Sequence, residues 1–141
     1  MLNWLKKISE NQKPKTLGQI GEEVAQKEYI KQGFKIIAKN EYNKKGKRLG
    51  EIDFIAKNKQ TIVFVEVKSR QKEKGLFGSP VESVNTFKQI KILKAVKLYL
   101  LKHQNLMNLR PQIDVCTVIL TAIDKNPTSV KIYSNVVEDW N

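Results

Sequence analysis

The sequence has one cysteine, Cys116, which excludes an internal disulfide framework and any zinc site built from several thiolates. It has one histidine, His103, at the end of an expected helix; a helix-end charge suits it better than catalysis, and without a Cys cluster it argues against zinc. No apolar run approaches the length of a membrane-spanning helix, so an integral membrane protein is not expected. The apolar part of Met1–Thr16 is too short and too interrupted for a secretion signal. Together with the single thiol, that points to the cytoplasm. Arginine is scarce as well: only Arg48, Arg70 and Arg110. Lysine meets phosphate as a point charge, whereas arginine reads guanine edges with two parallel hydrogen bonds. A lysine-dominated surface therefore suits backbone tracking better than base reading.

Acids are missing from one long stretch. From Ser83 to Ile113 there is no Asp or Glu, while Lys88, Lys91, Lys94, Lys97, Lys102 and Arg110 fall within it. A second basic cluster, Lys44, Lys45, Lys47 and Arg48, surrounds Gly46. The whole chain of 141 residues carries 26 Lys+Arg against 14 Asp+Glu, a formal net charge of +12. Such a balance favours a polyanionic partner, nucleic acid before an anionic membrane; the plainer alternative is a surface charged only for solubility. The length suits one domain, and 40% hydrophobic residues supply a core. We read residues 1–16 as a basic arm, interrupted by Pro14, and residues 17–141 as a single domain.

Helical spacing of Leu17, Ile20, Val24 and Ala25 predicts a helix over Leu17–Gln32, with Thr16 as N-cap and Gly33 as the stop. Strands are expected over Phe34–Tyr42, Leu49–Ala56 and Thr61–Lys68, with a basic hairpin tip at Lys44–Arg48 and a short turn at Asn58–Gln60. The β-branched and aromatic run Ile62–Val67 should be central in a sheet. Gln71–Pro80 reads as a mobile polar loop and Val84–His103 as a long helix. That helix has a main apolar face, Ile92, Leu93, Val96, Tyr99 and Leu100, and a second sector, Phe87, Ile90, Leu98 and Leu101. Apolar residues on two sides imply burial between two layers, one of which a second subunit can supply. Strands over Ile113–Thr121 and Val130–Val137, joined by a turn at Asn126–Pro127, complete an α/β order with a mixed sheet flanked by helices. Cys116 reads as core packing; Trp4 and Trp140, near the termini, read as packing or disordered residues rather than base-stacking ones.

The chemistry-bearing residues are Gly50-Glu51-Ile52-Asp53 and Val65-Glu66-Val67-Lys68. Alternation puts Glu66 and Lys68 on one face at the end of the most apolar strand, where a carboxylate loses hydration and needs a cation or several donors. The short turn makes the neighbouring strand antiparallel and brings Asp53 near Glu66. Two close carboxylates repel, and a divalent ion with retained waters and a phosphate oxygen relieves that repulsion. Asp53, Glu66 and Lys68 thus form a candidate catalytic set for metal-dependent phosphodiester hydrolysis, with Mg²⁺ or Mn²⁺ as the ion and Lys68 beside the attacking water. The alternative is an ordinary Glu66–Lys68 ion pair on an exposed sheet face, with Asp53 a strand-end acid.

Taken in order, Gly18-x-x-Gly21-Glu22-x-x-Ala25, Gly33-Phe34, Asn40, Gly50-Glu51-Ile52-Asp53-Phe54-Ile55-Ala56, Val63-Phe64-Val65-Glu66-Val67-Lys68-x-Arg70 and Gly78-x-Pro80-Val81-Glu82-x-Val84 resemble the YraN family of small bacterial proteins, described as predicted endonucleases. Through it the chain is similar to archaeal Holliday-junction resolvases of the PD-(D/E)XK superfamily. The resemblance spans Leu17 to Val137. It implies a restriction-endonuclease-like fold, a catalytic core of Asp53, Glu66 and Lys68, and Glu22 as a further acid for the metal. Lys44, Lys45, Lys47, Arg48, Arg70, Lys88 and Lys91 are the candidate nucleic-acid contacts. Glu51, on the strand face of Asp53, reads either as a supporting acid or as a surface one. The expected partner is duplex or branched DNA, with a homodimer suited to two-fold branched substrates; no organic cofactor is expected. In the fourth strand the family tends to carry Arg-Phe-Asp, where this chain has Gln112-Ile113-Asp114.

Overall fold

A computed structural model describes residues 14–39, 52–74 and 86–137. The elements run α1 (Leu17–Lys31), β1 (Lys35–Lys39), β2 (Phe54–Lys57), β3 (Thr61–Gln71), α2 (Thr86–Lys102), β4 (Arg110–Leu120) and β5 (Pro127–Tyr133). Short 3₁₀ turns lie at Lys72–Lys74 and Gln104–Leu106.

Local chemistry sets the ends of α1. The Thr16 hydroxyl accepts from the Gln19 amide at 3.1 Å, and the Gln19 side chain accepts from the Thr16 amide at 2.9 Å. This reciprocal capping satisfies two amides that the first turn leaves without partners. Gly33, at φ +95°, turns the chain out of the helix in a conformation that L side chains rarely adopt. Between β2 and β3 the Asn58 side chain accepts from the Gln60 and Thr61 amides at 2.9 and 2.7 Å, which closes the expected short turn.

The sheet order is β1-β2-β3-β4-β5, with β3 and β4 parallel and the other neighbours antiparallel. The apolar β3 is central, as its composition predicts. A parallel pair needs a crossover, and α2 supplies it. α1 covers one face through Ala25 and Tyr29 against Phe54, Val63, Val65, Cys116 and Val118. α2 covers the other through Ile92, Val96 and Tyr99 against Ile55, Phe64, Ile113 and Val115. This is an α/β fold, a mixed sheet flanked by helices, consistent with the restriction-endonuclease-like architecture.

Several boundaries differ from the sequence expectation. β3 extends to Gln71, and Lys72–Lys74 form a 3₁₀ turn, so the expected polar loop begins later. β5 starts at Pro127, an edge position where the missing amide costs no ladder bond, and ends at Tyr133. Of the two layers expected around α2, the described residues supply one. Phe87, Ile90, Leu98 and Leu101 are exposed, because α2 meets only one described layer, the sheet. The hairpin tip at 44–48, Trp4, Trp140, Asn40, Glu51 and the rest of the polar loop lie outside the described residues.

Gly21 marks the closest approach of α1 to the sheet. A Cβ there would overlap the Ser69 hydroxyl and come within 2.9 Å of the Ser69 Cβ. Gly21→Ala should therefore lower stability by about 1–3 kcal/mol, the usual cost of overpacking, read as a lower urea midpoint with an unchanged slope.

Candidate active site

Asp53 is the residue at which β2 leaves the sheet. Its amide donates to the Val65 carbonyl at 2.9 Å, and its Oδ2 accepts from the Val67 amide at 2.7 Å. The carboxylate thus occupies the ladder position that a further strand residue would fill, which fixes its plane. Phe54 is paired with Val65, so Asp53 stands across from Glu66, at a side-chain separation of about 5 Å for such neighbours.

Glu66 and Asp53 are both buried, 5% and 7% exposed. The version of the ion-pair alternative that puts these acids on an exposed face is thereby corrected, since both are shielded from solvent. The ion pair itself is present, with Lys68 Nζ 3.4 Å from Glu66 Oε1. Glu66 Oε2 is buried and has no hydrogen-bond partner. Two buried carboxylates, Asp53 and Glu66, are thus neighbours in a poorly hydrated notch, with Lys68 against Glu66. A buried carboxylate oxygen without a donor is costly and is relieved by a bound cation or an ordered water.

The donor set fits a hard divalent ion of the Mg²⁺ type. Such an ion takes oxygen ligands, uses one or two carboxylates and retains water for its remaining positions. It does not fit an all-protein cage: among the described residues no three His, Cys, Asp or Glu come together. Glu22 does not complete one. It is half-buried on α1, next to Gly21, and α1 lies on the sheet face opposite Glu66. It sits at the same end of the sheet, since Gly21 abuts Ser69 of β3.

The other candidates divide by position. Arg70 is exposed, its guanidinium donating to the Ser69 carbonyl at 2.8 Å. Lys88 is half-buried and Lys91 exposed in the first turns of α2, with Lys91 Nζ 4.6 Å from the Phe87 ring centroid. Because α2 links the end of β3 to the start of β4, its N-terminal turns lie toward the Lys68 end of the sheet. Lys44, Lys45, Lys47 and Arg48 fall outside the described residues. A cavity of about 590 Å³ opens at the other end of the sheet, lined by Gly33, Lys35, Lys57, Asn58, Lys59 and Gln60, and holds none of the candidate residues. His103 stacks on Tyr99 with ring centroids 4.0 Å apart, and Cys116 is fully buried, its thiol pushed up to about 12 by burial. Both are structural.

Sequence reasoning missed two groups. Thr117 is the β4 partner of Lys68 and Lys131 is the β5 partner of Thr117, so the three form a row across the face that carries Glu66. Their registry is set by long-range strand pairing, and only the alternating pattern of β4 hinted that Thr117 faces this way. The second group centres on Asp114, which takes the Tyr29 hydroxyl at 2.7 Å, the Gln112 side-chain amide at 3.0 Å and the Asn135 amide at 2.9 Å. Gln112, where the family tends to carry arginine, still supplies a donor to Asp114.

The profile of the Uncharacterised protein family UPF0102 matches residues 21–118, which contain Glu22, Asp53, Glu66, Lys68 and Thr117. The chain belongs to UPF0102, the YraN family. A UPF0102 protein of Clostridium botulinum (strain 657 / Type Ba4) is 40% identical over 124 residues, covering 88% of this chain and 95% of the relative. A UPF0102 protein of Caldanaerobacter subterraneus subsp. tengcongensis is 42% identical over 106 residues, covering 75% and 81%. The domain of this UPF0102 member is therefore near the full length of these relatives. Among its described residues, no helix is long and apolar enough to cross a membrane.

Proposed function

We propose that this UPF0102 protein is an endonuclease that hydrolyses DNA phosphodiester bonds with Mg²⁺ or Mn²⁺. The observation that carries the proposal is the buried Asp53–Glu66 pair, with Glu66 Oε2 unpartnered and Lys68 beside it. Asp53 and Glu66 would hold the ion; Glu22, the further acid the resemblance implies, lies at the same end of the sheet. An ion held there would supply neutralisation of phosphate charge and a lowered pKa of bound water. Lys68 orients the attacking water and steadies charge on the phosphate. The water oxygen bonds to phosphorus as its proton passes to solvent, the opposite P–O bond breaks, and the leaving alkoxide takes a proton from solvent to give an alcohol and a phosphate monoester. The charge of +12, carried by Lys44, Lys45, Lys47, Arg48, Arg70, Lys88 and Lys91 among others, holds the phosphate backbone. A cytoplasmic homodimer, paired through the exposed apolar sector of α2, suits branched DNA with two-fold symmetry.

A second reading is a DNA-binding protein without turnover. It is favoured by the Lys68–Glu66 ion pair, which partly neutralises the notch without any metal. Incubation with duplex, single-stranded, flap and four-way DNA, in Mg²⁺ or Mn²⁺, separates the two. The endonuclease reading expects cleavage abolished by EDTA. Salt-dependent binding with no cleavage of any substrate supports the second reading, and no binding at low salt contradicts both.

A further inference from the structure

Among the described residues, two buried side-chain polar atoms have no hydrogen-bond partner, Glu66 Oε2 and Thr117 Oγ1. They are on the same face of the sheet. Thr117 is paired in register with Lys68, and Glu66 with Val115, so Thr117 stands beside Lys68 and one diagonal step from Glu66. Parallel neighbours are about 4.8 Å apart, and diagonal ones about 7–8 Å. That diagonal separation admits one small oxygen species hydrogen-bonded to both side chains.

Burying a hydroxyl without a partner is costly, and a β-branched valine would fill the same space without that cost. Valine occurs on both sides of the position in β4: Val115 two residues before it on the same face, and Val118 directly after it. Elsewhere in the fold a buried carboxylate is fully satisfied, as Asp114 is by three donors. Two unsatisfied groups side by side, next to a lysine, mark a place built for something bound.

We infer that Thr117 is a positioning residue of this site: its hydroxyl hydrogen-bonds a water seated between Thr117 and the Glu66 carboxylate, and orients that water beside Lys68. The inference rests on the endonuclease reading, because the water belongs to the shell of the divalent ion held at Glu66. A hydroxyl suits this role because it both donates and accepts, and carries no charge to compete with the ion.

The test compares Thr117→Ser, which keeps the hydroxyl, with Thr117→Ala and Thr117→Val, which remove it. Mn²⁺ affinity is read by isothermal titration calorimetry, folding by thermal melts, and cleavage as kcat and KM separately. Serine should match the wild type. Alanine and valine should weaken Mn²⁺ binding by about tenfold, the scale of lost outer-shell hydrogen bonds, and lower kcat with KM for DNA unchanged. Because serine and alanine both lose the methyl group, their difference isolates the hydroxyl even if valine packs badly. If valine raises the melting temperature and leaves Mn²⁺ affinity and kcat untouched, while the wild type binds Mn²⁺ and cleaves, the inference fails and the endonuclease reading stands. If the wild type binds no Mn²⁺, the reading fails and takes the inference with it.

Discussion

Glu66→Gln should lower metal-dependent cleavage on the order of 10³-fold, the scale on which removal of one group serving developing charge acts, with the melting temperature nearly unchanged. Glutamine keeps the length and volume of the side chain, so the packing of β3 against α2 is preserved. What it removes is charge: one of two neighbouring buried carboxylates becomes a neutral amide, and the attraction for a divalent ion falls with it. Glu66 is a cleaner probe than Asp53, since Asp53 also accepts from the Val67 amide at the end of the ladder. Loss of activity in Asp53→Ala would mix chemistry with a frayed β2. Single-turnover cleavage of a labelled substrate, beside thermal melts of the same preparation, checks the expectation; wild-type rates in Glu66→Gln would remove the carboxylate from the mechanism.

The largest expected effect on stability lies away from the chemistry. Asp114→Ala should cost roughly 3 kcal/mol, because it orphans the buried Tyr29 hydroxyl and the Asn135 amide, at about 1–3 kcal/mol for each group left without a partner. For a chain of this size that lowers the melting temperature by about 10 °C. Tyr29 and Asp114 are 85 residues apart in sequence, so this contact fastens α1 to the centre of the sheet. Burial pushes the Asp114 carboxyl above its ordinary range, while hydrogen bonds from Asn135, Tyr29 and Gln112 pull it back. A carboxyl raised on folding contributes most stability below the ordinary carboxylate range, and that contribution declines as pH rises through its raised value. Asp114→Asn has no such titration and should flatten this part of the stability profile, measured by urea unfolding from acidic to neutral pH.

The contrast between these two residues shows what the sequence made legible. The nearness of Asp53 to Glu66 was legible because their relation is local: one short turn closed by Asn58 sets the β2–β3 register. The α1 ends were legible for the same reason, since Thr16 and Gly33 act within a turn of themselves. Burial of β3 followed from its unbroken apolar run. Asp114 was noticed only as a departure from a family pattern, because Tyr29 and Asn135 reach it through the tertiary fold. Thr117 gave no more than the alternation of β4, since a threonine in a strand is ordinary until its register with Lys68 is known. The second apolar sector of α2 was legible as a pattern, but periodicity reports which residues share a face and not what covers it; within the described residues nothing does.

The claim at the centre of this account is that Asp53 and Glu66 hold a divalent ion. Anomalous diffraction from crystals soaked in Mn²⁺ tests it most directly. The account predicts a manganese peak between the two carboxylates, within bonding distance of Glu66 Oε2, with Lys68 retained at its side. Ordered carboxylates with Glu66 still paired to Lys68, and no manganese between them at saturating concentration, would contradict it.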